Sequence, residues 1–477
     1  QIDNSDPSAP QFNFTDGDPN DASKYTASSY NNRHQFAHDQ DYQFSGNIKR
    51  SLSLGNGTIL DLKAGGRFRY KEDAHTRNYY QYALKSGSLT MDMFTSNYSR
   101  TSYFGGKYNL SGAIANGYLM ETYYQQNKDL FEPNDNYIRQ NTDPDSYQGN
   151  ETLGAAYVMG KLVLGKLESV LGVRYERTGF QYTGNIVSFN DQGQYESTTP
   201  VDTEASFAGF FPSLNLKYKL TEQTNIRGAI TRTLSRPSYY DLVPWEEIEV
   251  RRKRMKKGNP QLDQSTSLNA DLLFEHYLNP IGLLSGGVFY KRIDDYIYES
   301  IFNQTGGKYD GYQITQTVNG AAADVYGFEI AWQQQLTFLP GILNGFGVYA
   351  NYTYIKSSFE VPGIESVRKV SLPEMRPRVG NFALSYEKYG FSGRLALNFY
   401  ETFISELADD QKDDLMEKER AQLDFSASQK ISKSFTVFMG LSNINNAQVR
   451  MDFGDGRPND YKYYACWGNL GIKYTIK

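Results

Sequence analysis

The feature that most constrains this chain is the regular alternation of apolar and polar residues over long stretches. Leu60, Leu62 and Phe68 share one parity, whereas Lys63 and Arg67 occupy the other. Successive side chains of a β-strand point to opposite faces, so such a run predicts a strand with one apolar and one polar face. The pattern recurs from about residue 40 to the end of the chain, and helical spacing is almost absent. The sequence therefore predicts an all-β fold.

Fifteen strands are predicted, and the connections between them alternate between short and long. The predicted strands cover residues 40–54, 58–72, 148–164, 167–184, 206–220, 224–236, 265–278, 282–299, 313–337, 345–358, 376–388, 391–405, 419–431, 434–445 and 461–476. The long connections lie at 73–147, 185–205, 237–264, 300–312, 359–375, 406–418 and 446–460. Short turns on one side and long loops on the other are typical of a membrane β-barrel with extracellular loops.

Composition supports a membrane barrel over other classes. Aromatic residues make up 15% of the 477 residues, although the mean hydropathy is −0.61. No run of about 18 apolar residues is present, which excludes a helical membrane protein. The net charge of −5 argues against nucleic acid as the main partner. A single cysteine, Cys466, excludes a disulfide framework.

A soluble β-sandwich or propeller is the alternative, since its strands also alternate. The connections between its strands, however, would not alternate regularly between long and short along the chain. Many of the predicted strands exceed ten residues, which suits a tilted crossing of the membrane. We therefore predict a transmembrane antiparallel β-barrel.

Strand parity leads to an expectation about the length of the protein. Residues 1–38 are polar and are predicted to be an extracellular loop segment, followed by the barrel at 39–477. The last strand follows a long loop, so it ends on the short-turn, periplasmic side. Bacterial barrels usually have an even number of strands, so fifteen strands lead us to expect further strands before residue 1. The chain is interpreted as a C-terminal portion.

Several segments resemble the barrel of TonB-dependent outer-membrane receptors. The segments that carry the resemblance, in chain order, are Gly172–Glu176 (GVRYE), Arg232–Pro237 (RTLSRP), Gly258–Leu262 (GNPQL), Val325–Glu329 (VYGFE), Leu339–Gly341 (LPG) with Asn351–Tyr354 (NYTY), Gln422–Ser426 (QLDFS) and Gly440–Asn446 (GLSNINN). Each motif is short, but together they cover about residues 39–477 in family order.

The resemblance implies a 22-stranded barrel around an N-terminal plug, of which these would be the last fifteen strands. Neither the plug nor a TonB-contacting box is in this chain. The implied function is import of an oligosaccharide or a metal chelate, bound in the extracellular loops and released by energy-coupled rearrangement of the plug. The implied location is the outer membrane of a Gram-negative bacterium. The implied partners are the TonB protein, outer-membrane lipids with lipopolysaccharide, and a surface lipoprotein or other envelope subunit.

Two other functions stay open on the sequence alone. One is a non-transporting barrel subunit that acts as a scaffold or partner-binding component of an outer-membrane complex. The other is a passive porin. Enzymatic activity is not predicted, because no catalytic constellation emerges. His34, His38 and His75 are predicted to lie in or beside polar loops, and His276 at the periplasmic end of a strand. We accordingly predict no cofactor and no metal site.

The polar faces of the predicted strands carry many charges that would point into the barrel. These predicted lumen charges are Arg67, Arg69, Arg174, Arg227, Glu329 and Arg394. We interpret them as a hydrated charge network that forms salt bridges with a plug. The alternative is that they line a substrate path.

Two groups of loop residues are candidates for recognition. Aromatic side chains beside polar ones can stack against a bound ligand, although they also pack loops together. The candidate ligand-binding aromatics are Tyr79, Tyr80, Tyr82, Tyr239, Tyr240 and Trp245. The second group is a basic run interpreted as a solvated loop tip or, alternatively, as a contact for lipopolysaccharide phosphates or an acidic partner. It consists of Arg251, Arg252, Lys253 and Arg254.

Overall fold

The computed structural model describes residues 2–3, 11–12, 17–18, 20–55, 57–103, 106, 108–110, 114–361 and 367–476. Parts of the predicted 1–38 segment therefore lie outside the described residues. The fifteen strands of the main sheet are β1 (Tyr30–Gly55), β2 (Thr58–Leu84), β3 (Tyr147–Leu164), β4 (Leu167–Phe189), β5 (Tyr195–Thr221), β6 (Thr224–Ser235), β7 (Ser265–Leu278), β8 (Gly282–Asp294), β9 (Ala323–Gln335), β10 (Phe346–Val361), β11 (Arg378–Lys388), β12 (Phe391–Tyr400), β13 (Arg420–Lys430), β14 (Phe435–Ser442) and β15 (Trp467–Tyr474).

Each of these strands pairs antiparallel with the next one along the chain, from β1 to β15. This sheet is the wall of a β-barrel, and it confirms the predicted fold. The first and last strands of this sheet, β1 and β15, carry the most exposed apolar side chains of the wall. Ile48 of β1 is 80% exposed and Leu470 of β15 is 78% exposed.

The two faces of the wall differ as the alternation predicts. Leu268 and Leu272 of β7 and Val288 of β8 form part of an apolar outer face on which each side chain is 50–55% exposed. Asn269, between the two leucines, is buried on the inner face and donates hydrogen bonds to β6. Rows of exposed leucine, valine and aromatic side chains are unfavourable in water and favourable in hydrocarbon.

The wall strands differ from the prediction chiefly in length on the long-loop side. β1 begins at Tyr30 and β2 runs to Leu84, ten or more residues beyond the predicted ends. Beyond the apolar belt a strand meets no hydrocarbon on its outer face, so both faces are polar and alternation gives no signal there. The predicted strand 282–299 is also broken, at Asp295, where a positive φ of 54° turns the backbone.

The connections between the wall strands and the segment before β1 contain short helices and strands. The helices are α1 (Gly117–Gln126), α2 (Asp135–Thr142) and α3 (Tyr239–Leu242), with 3₁₀ turns at Ala22–Lys24, Met91–Phe94, Lys128–Leu130, Val250–Arg252, Gly341–Gly345 and Gln411–Asp413. The additional strands are Ile2–Asp3, Gln11–Phe12, Arg100–Tyr103, Tyr108–Leu110, Phe131–Pro133, Glu246–Glu249, Arg254–Lys257, Ile297–Asn303, Gln313–Asn319, Arg368–Val370, Phe403–Glu406, Leu415–Glu417, Val449–Phe453 and Pro458–Lys462. Among the described residues, none of the helices has the length and apolar character needed to cross a bilayer.

Candidate functional site

Two loop hairpins and the end of β4 combine into one small sheet at the long-loop end of the barrel. The hairpin Glu246–Glu249/Arg254–Lys257 pairs in parallel with Gln313–Asn319, which is itself paired with Ile297–Asn303. On its other side, Glu246 pairs with Ile186 near the end of β4. We call these four loop strands the roof sheet. Because one backbone hydrogen-bond network joins them, the loops are held as a unit.

The roof sheet has its own apolar core and a register that its charges favour. Val187 and Phe189 of β4 pack with Ile248, Met255 and Ile314, and all five side chains are at least 94% buried. Across the first hairpin, Glu246 is paired with Lys257 and Glu247 with Lys256. Opposite charges directly across from each other stabilise a hairpin by about 0.2–1 kcal/mol per pair.

Two tyrosines of α3 attach the roof to carboxylates on or beside the barrel wall. The hydroxyl of Tyr239 donates to Glu151 Oε2 at 2.7 Å, and Glu151 also accepts from Arg69. The hydroxyl of Tyr240 donates to Asp145 Oδ1 at 2.6 Å. Arg77 pairs with the other oxygen of Asp145. Each carboxylate therefore links a wall arginine to a loop tyrosine.

Aromatic packing completes this attachment. Tyr240 stacks on Trp245 with 4.4 Å between ring centroids, and Tyr239 stacks on Tyr182 of β4 at 5.6 Å. Trp245 is 6% exposed, and its indole N–H donates to the Tyr240 carbonyl at 2.8 Å. Burying rings of this size supplies much of the energy that holds a loop against a wall.

A cavity of about 500 Å³ lies between the roof sheet and the wall. Its volume is in the range of small-molecule sites. The lining mixes aromatic rings, cations, carboxylates and neutral hydrogen-bonding groups, so it can hold a polar ligand through several contacts at once. The lining residues are His75, Arg77, Asp145, Tyr147, Tyr240, Asp241, Trp245, Glu247, Lys256, Lys257, Glu299, Thr315, Gln316 and Thr317.

The roof carboxyls are partly withdrawn from water. Burial raises the pKa of Glu247, and the negative charge of Asp145 raises it further, against the opposing effect of Lys256. Burial likewise raises the pKa of Glu246, with Lys257 opposing the rise. Burial of charged groups beside a cavity is common where proteins bind polar ligands.

These raised pKa values predict a pH dependence of roof stability. A glutamate in the unfolded roof titrates near 4.5, whereas the folded roof holds the proton to higher pH. The contribution of Glu246 and Glu247 to stability is therefore largest at or below pH 4.5 and decreases as pH rises through the raised pKa values. The measurement is hydrogen exchange of the roof amides between pH 4 and pH 7, after correction for intrinsic exchange rates.

A double variant, Glu246→Gln with Glu247→Gln, provides the comparison. It should show a smaller fall in roof protection over that pH range than the unaltered protein. Glu401→Gln, at an exposed position outside the roof, is the matched control. Its roof protection should fall with rising pH as it does in the unaltered protein. An equal fall in roof protection in the double variant and the unaltered protein would show that Glu246 and Glu247 do not cause the pH dependence.

The structure separates the six predicted loop aromatics into two groups. Tyr239, Tyr240 and Trp245 come together between roof and wall, as described above. Tyr79, Tyr80 and Tyr82 lie on β2 instead of in a loop, because that strand continues to Leu84. The rings of Tyr80 and Tyr82 are stacked 6.5 Å apart, and Tyr82 lies 5.1 Å from Tyr124 of α1.

Three of the six predicted lumen charges form ion pairs with carboxylates of the wall. Arg69 pairs with Glu151, Arg174 with Glu176, and Arg227 with Glu275.

The other three predicted lumen charges have fewer partners. Arg67 donates to Gln43 at 2.6 Å, and Arg394 lies 6.0 Å from the ring centroid of Tyr349. Glu329 is exposed on the same face. Whether any of these six residues contacts a substrate stays a prediction.

The predicted basic run occupies the tip of the first roof hairpin. Arg251, Arg252 and Lys253 are exposed at the turn, with Lys253 at a positive φ of 49°, and Arg254 begins the return strand. Arg252 pairs with Glu249 at 3.2 Å. This placement fits a solvated tip, and a contact with lipopolysaccharide or an acidic partner stays a prediction.

Sequence reasoning missed the carboxylates at the centre of the site. Asp145 precedes β3 and Glu151 lies on it, and nothing in their local sequence marks them. Their importance comes from Tyr239 and Tyr240, almost a hundred residues later in the chain. Glu247 and Lys256 had a usable signal, since acidic residues at 246–249 face basic residues at 254–257 across a short turn.

Comparison with known proteins decides the family. The family model of the TonB-dependent receptor-like β-barrel matches residues 2–444. The chain belongs to the TonB-dependent receptor family.

Among the described residues, no group of three or more histidine, cysteine, aspartate or glutamate side chains is arranged to hold a metal ion.

Solved structures of receptors and a transporter for iron chelates and siderophores show the same fold. The ferric-catecholate import receptor Fiu from E. coli K12 has a TM-score of 0.60 at 11% identity, covering 92% of this chain and 55% of that one. The ferric citrate transporter FecA has a TM-score of 0.55 at 14% identity, with 93% and 55% covered. The siderophore receptor PiuA from Acinetobacter baumannii has a TM-score of 0.55 at 10% identity, with 92% and 56% covered.

A curated relative is also similar over part of this receptor chain. The hemoglobin-haptoglobin-binding protein A of Haemophilus influenzae is 26% identical over 206 residues, which is 40% of this chain and 19% of that protein. The chain thus spans about half the length of the solved receptors and matches a fifth of the curated relative.

Proposed function

We propose that this chain forms barrel strands and loops of an outer-membrane receptor that actively imports a metal chelate. Its long loops face the outside of the cell and bind the chelate. Transport through the barrel is driven by the TonB protein acting on a plug. The family assignment supports energy coupling of this kind, which a passive porin or a non-transporting scaffold would not need.

The observation that carries the proposal is the cavity beneath the roof sheet. A porin would keep its long-loop end open for diffusion, whereas here paired loops are packed onto the wall around Trp245. The cavity places Arg77, Lys256 and Lys257 beside aromatic rings. Cations and ring faces suit the charged oxygen atoms and planar groups of an organic chelator.

A metal chelate is preferred to an oligosaccharide as the substrate class. The solved receptors with this fold include ones described as importing ferric catecholate and ferric citrate. A sugar chain would also use the aromatic rings, and the three cations of the cavity are accompanied by four carboxylates, so the preference rests on the neighbouring receptors and not on the charge of the lining. An oligosaccharide therefore remains an outcome that the uptake test can report.

The proposal predicts energy-dependent uptake of iron chelates. In an iron-starved strain, deletion of the gene should abolish uptake of at least one chelate in a panel of ⁵⁵Fe complexes. Removal of TonB should have the same effect. Uptake that continues without TonB would support a porin, and loss of labelled oligosaccharide uptake alone would replace the proposed substrate class.

A pair of variants connects uptake to the cavity. Lys256→Gln removes a cation from the lining, whereas Arg251→Gln removes one from the exposed hairpin tip. A hydrogen bond to a charged group contributes about 1.5–3 kcal/mol, so Lys256→Gln should weaken chelate binding roughly tenfold or more. Arg251→Gln should leave it unchanged. Equal affinities of the two variants would place the ligand outside this cavity.

A further inference from the structure

A second cluster of charged and aromatic side chains lies at the long-loop end of β11, β12 and β13, apart from the roof cavity. Arg376 precedes β11, Tyr400 ends β12 and Arg420 begins β13. Phe403 and Glu417 come from the connection between β12 and β13. These five residues are brought together by strand pairing and not by closeness in sequence.

The register places Tyr400 and Arg420 on the inner face of the wall. Tyr400 is directly paired with Arg420 on one side and with Val379 on the other. Leu395 and Leu397, which have the opposite parity to Tyr400, are exposed on the apolar outer face. Side chains on one strand alternate between faces, so Tyr400 and its partner Arg420 point inward.

Arg376 is held by rings and not by a carboxylate. Its guanidinium carbon lies 4.9 Å from the ring centroid of Tyr400 and 4.5 Å from that of Phe403. Its Nε–H is buried and donates to no partner within the part of the chain that the structure describes. Arg420 has a buried Nε of the same kind, and its one described hydrogen bond is a 3.5 Å contact with the Ala447 carbonyl.

Neighbouring arginines differ from these two in having carboxylate partners, although the buried Nε of Arg368 also lacks a partner among the described residues. Arg378 pairs with Glu401 at 2.8 Å, and Arg368 makes two hydrogen bonds to Asp414 at 3.0 Å. The nearby carboxylate of Glu417 is engaged by the Tyr400 hydroxyl at 2.5 Å. Carboxylates are therefore present around the cluster, but among the described residues none pairs with Arg376 or Arg420.

A half-buried cation without a direct ion pair is costly, so such arginines usually serve an anionic partner. The planar guanidinium offers a fork of N–H donors that matches the two oxygens of a carboxylate, and stacking on rings fixes its orientation in advance. Two such groups next to one tyrosine form an anion-binding arrangement on the inner face of the wall.

We propose that Arg376 and Arg420 form a subsite that binds a free carboxylate of the incoming chelate. The inference rests on the proposed function, since it names the chemistry of the ligand that the receptor takes. The subsite selects chelates that keep an uncoordinated carboxylate over neutral chelates of similar size. It lies on the inner wall, where a ligand passing from the loops into the barrel would meet it.

The test measures binding of two probes to the intact protein in detergent. Ferric citrate carries free carboxylates, and ferrichrome is a neutral hydroxamate chelate. The variants are Arg376→Ala, Arg420→Ala and the control Arg378→Ala, whose arginine is already paired. We expect the unaltered protein to prefer ferric citrate, and each of the first two variants to weaken that binding roughly tenfold. The control should bind as the unaltered protein does.

The results that would overturn the subsite are distinct from failure of the import proposal. If Arg376→Ala and Arg420→Ala leave ferric citrate binding unchanged but lower the unfolding temperature, the arginines pair with another part of the protein. If the unaltered protein shows no preference for ferric citrate over ferrichrome, the subsite is also wrong. Uptake of a neutral chelate driven by TonB would leave the proposed import function standing in either case.

Discussion

Replacing Glu151 with alanine is expected to destabilise the attachment of the roof to the wall by about 3–5 kcal/mol, the usual cost of breaking a buried ion pair. Glu151 is 2% exposed and accepts hydrogen bonds from both Arg69 and Tyr239. Its removal leaves the arginine charge without a partner and a tyrosine hydroxyl without an acceptor. The measurement is urea unfolding of the protein, monitored by tryptophan fluorescence. The signal of Trp245 is measured over the background signal of Trp332 and Trp467.

Two further variants make this result specific. Tyr239→Phe removes one hydrogen bond but keeps the ring, so it should cost only about 1 kcal/mol. Glu401→Ala breaks the exposed pair with Arg378 and should cost less than about 1 kcal/mol. A loss with Glu151→Ala no larger than that with Glu401→Ala would show that the wall carboxylate does not hold the roof.

Placing an arginine on the outer face is the second large effect that we expect. Leu272 is 54% exposed near the middle of β7, where the wall would meet the centre of the bilayer. Leu272→Arg should reduce the stability of the protein in lipid vesicles by about 2–4 kcal/mol, since a cation at the midplane of a membrane barrel loses its hydration. Reversible urea unfolding in vesicles measures the difference.

The adjacent residue offers a matched control with the same new side chain. Asp271 has the opposite parity, so Asp271→Arg places its charge in the watery interior and should change stability far less. The difference between the two variants should shrink in a short-chain detergent that surrounds the outer face loosely. Equal losses in vesicles would mean that the two faces do not differ in the solvent they meet.

Most of the strands could be predicted from the sequence because every second residue of a membrane-spanning strand faces hydrocarbon and is therefore apolar. Between Leu268 and Phe274 the outer face is apolar at each even position, and the pairing follows the predicted order. The same physics explains the errors at the strand ends. Beyond the membrane, residues such as Tyr79 and Tyr80 gain nothing from alternation, so their strand is invisible in the sequence.

The candidate site was only partly predictable because its contacts are distant in sequence. Tyr239, Tyr240 and Trp245 stood out as aromatics in a polar loop, and the structure brings them together. Asp145 and Glu151, which hold two of them, look like any other surface carboxylate. Arg376 and Arg420 are likewise ordinary in sequence, and only the absence of ion pairs with the described residues around them distinguishes them.

The most direct test of the membrane-spanning barrel is a spin-label scan along β7 in the intact protein reconstituted in lipid. Cysteine would be introduced singly at residues 268–274 in a Cys466→Ser background and labelled with a nitroxide. We predict that labels at even positions, such as 268 and 272, are relaxed by oxygen dissolved in lipid. Labels at odd positions, such as 269 and 271, should be relaxed by a water-soluble nickel complex. Uniform accessibility along the segment, or oxygen contact at the odd positions, would contradict the membrane-spanning barrel on which the proposed function depends.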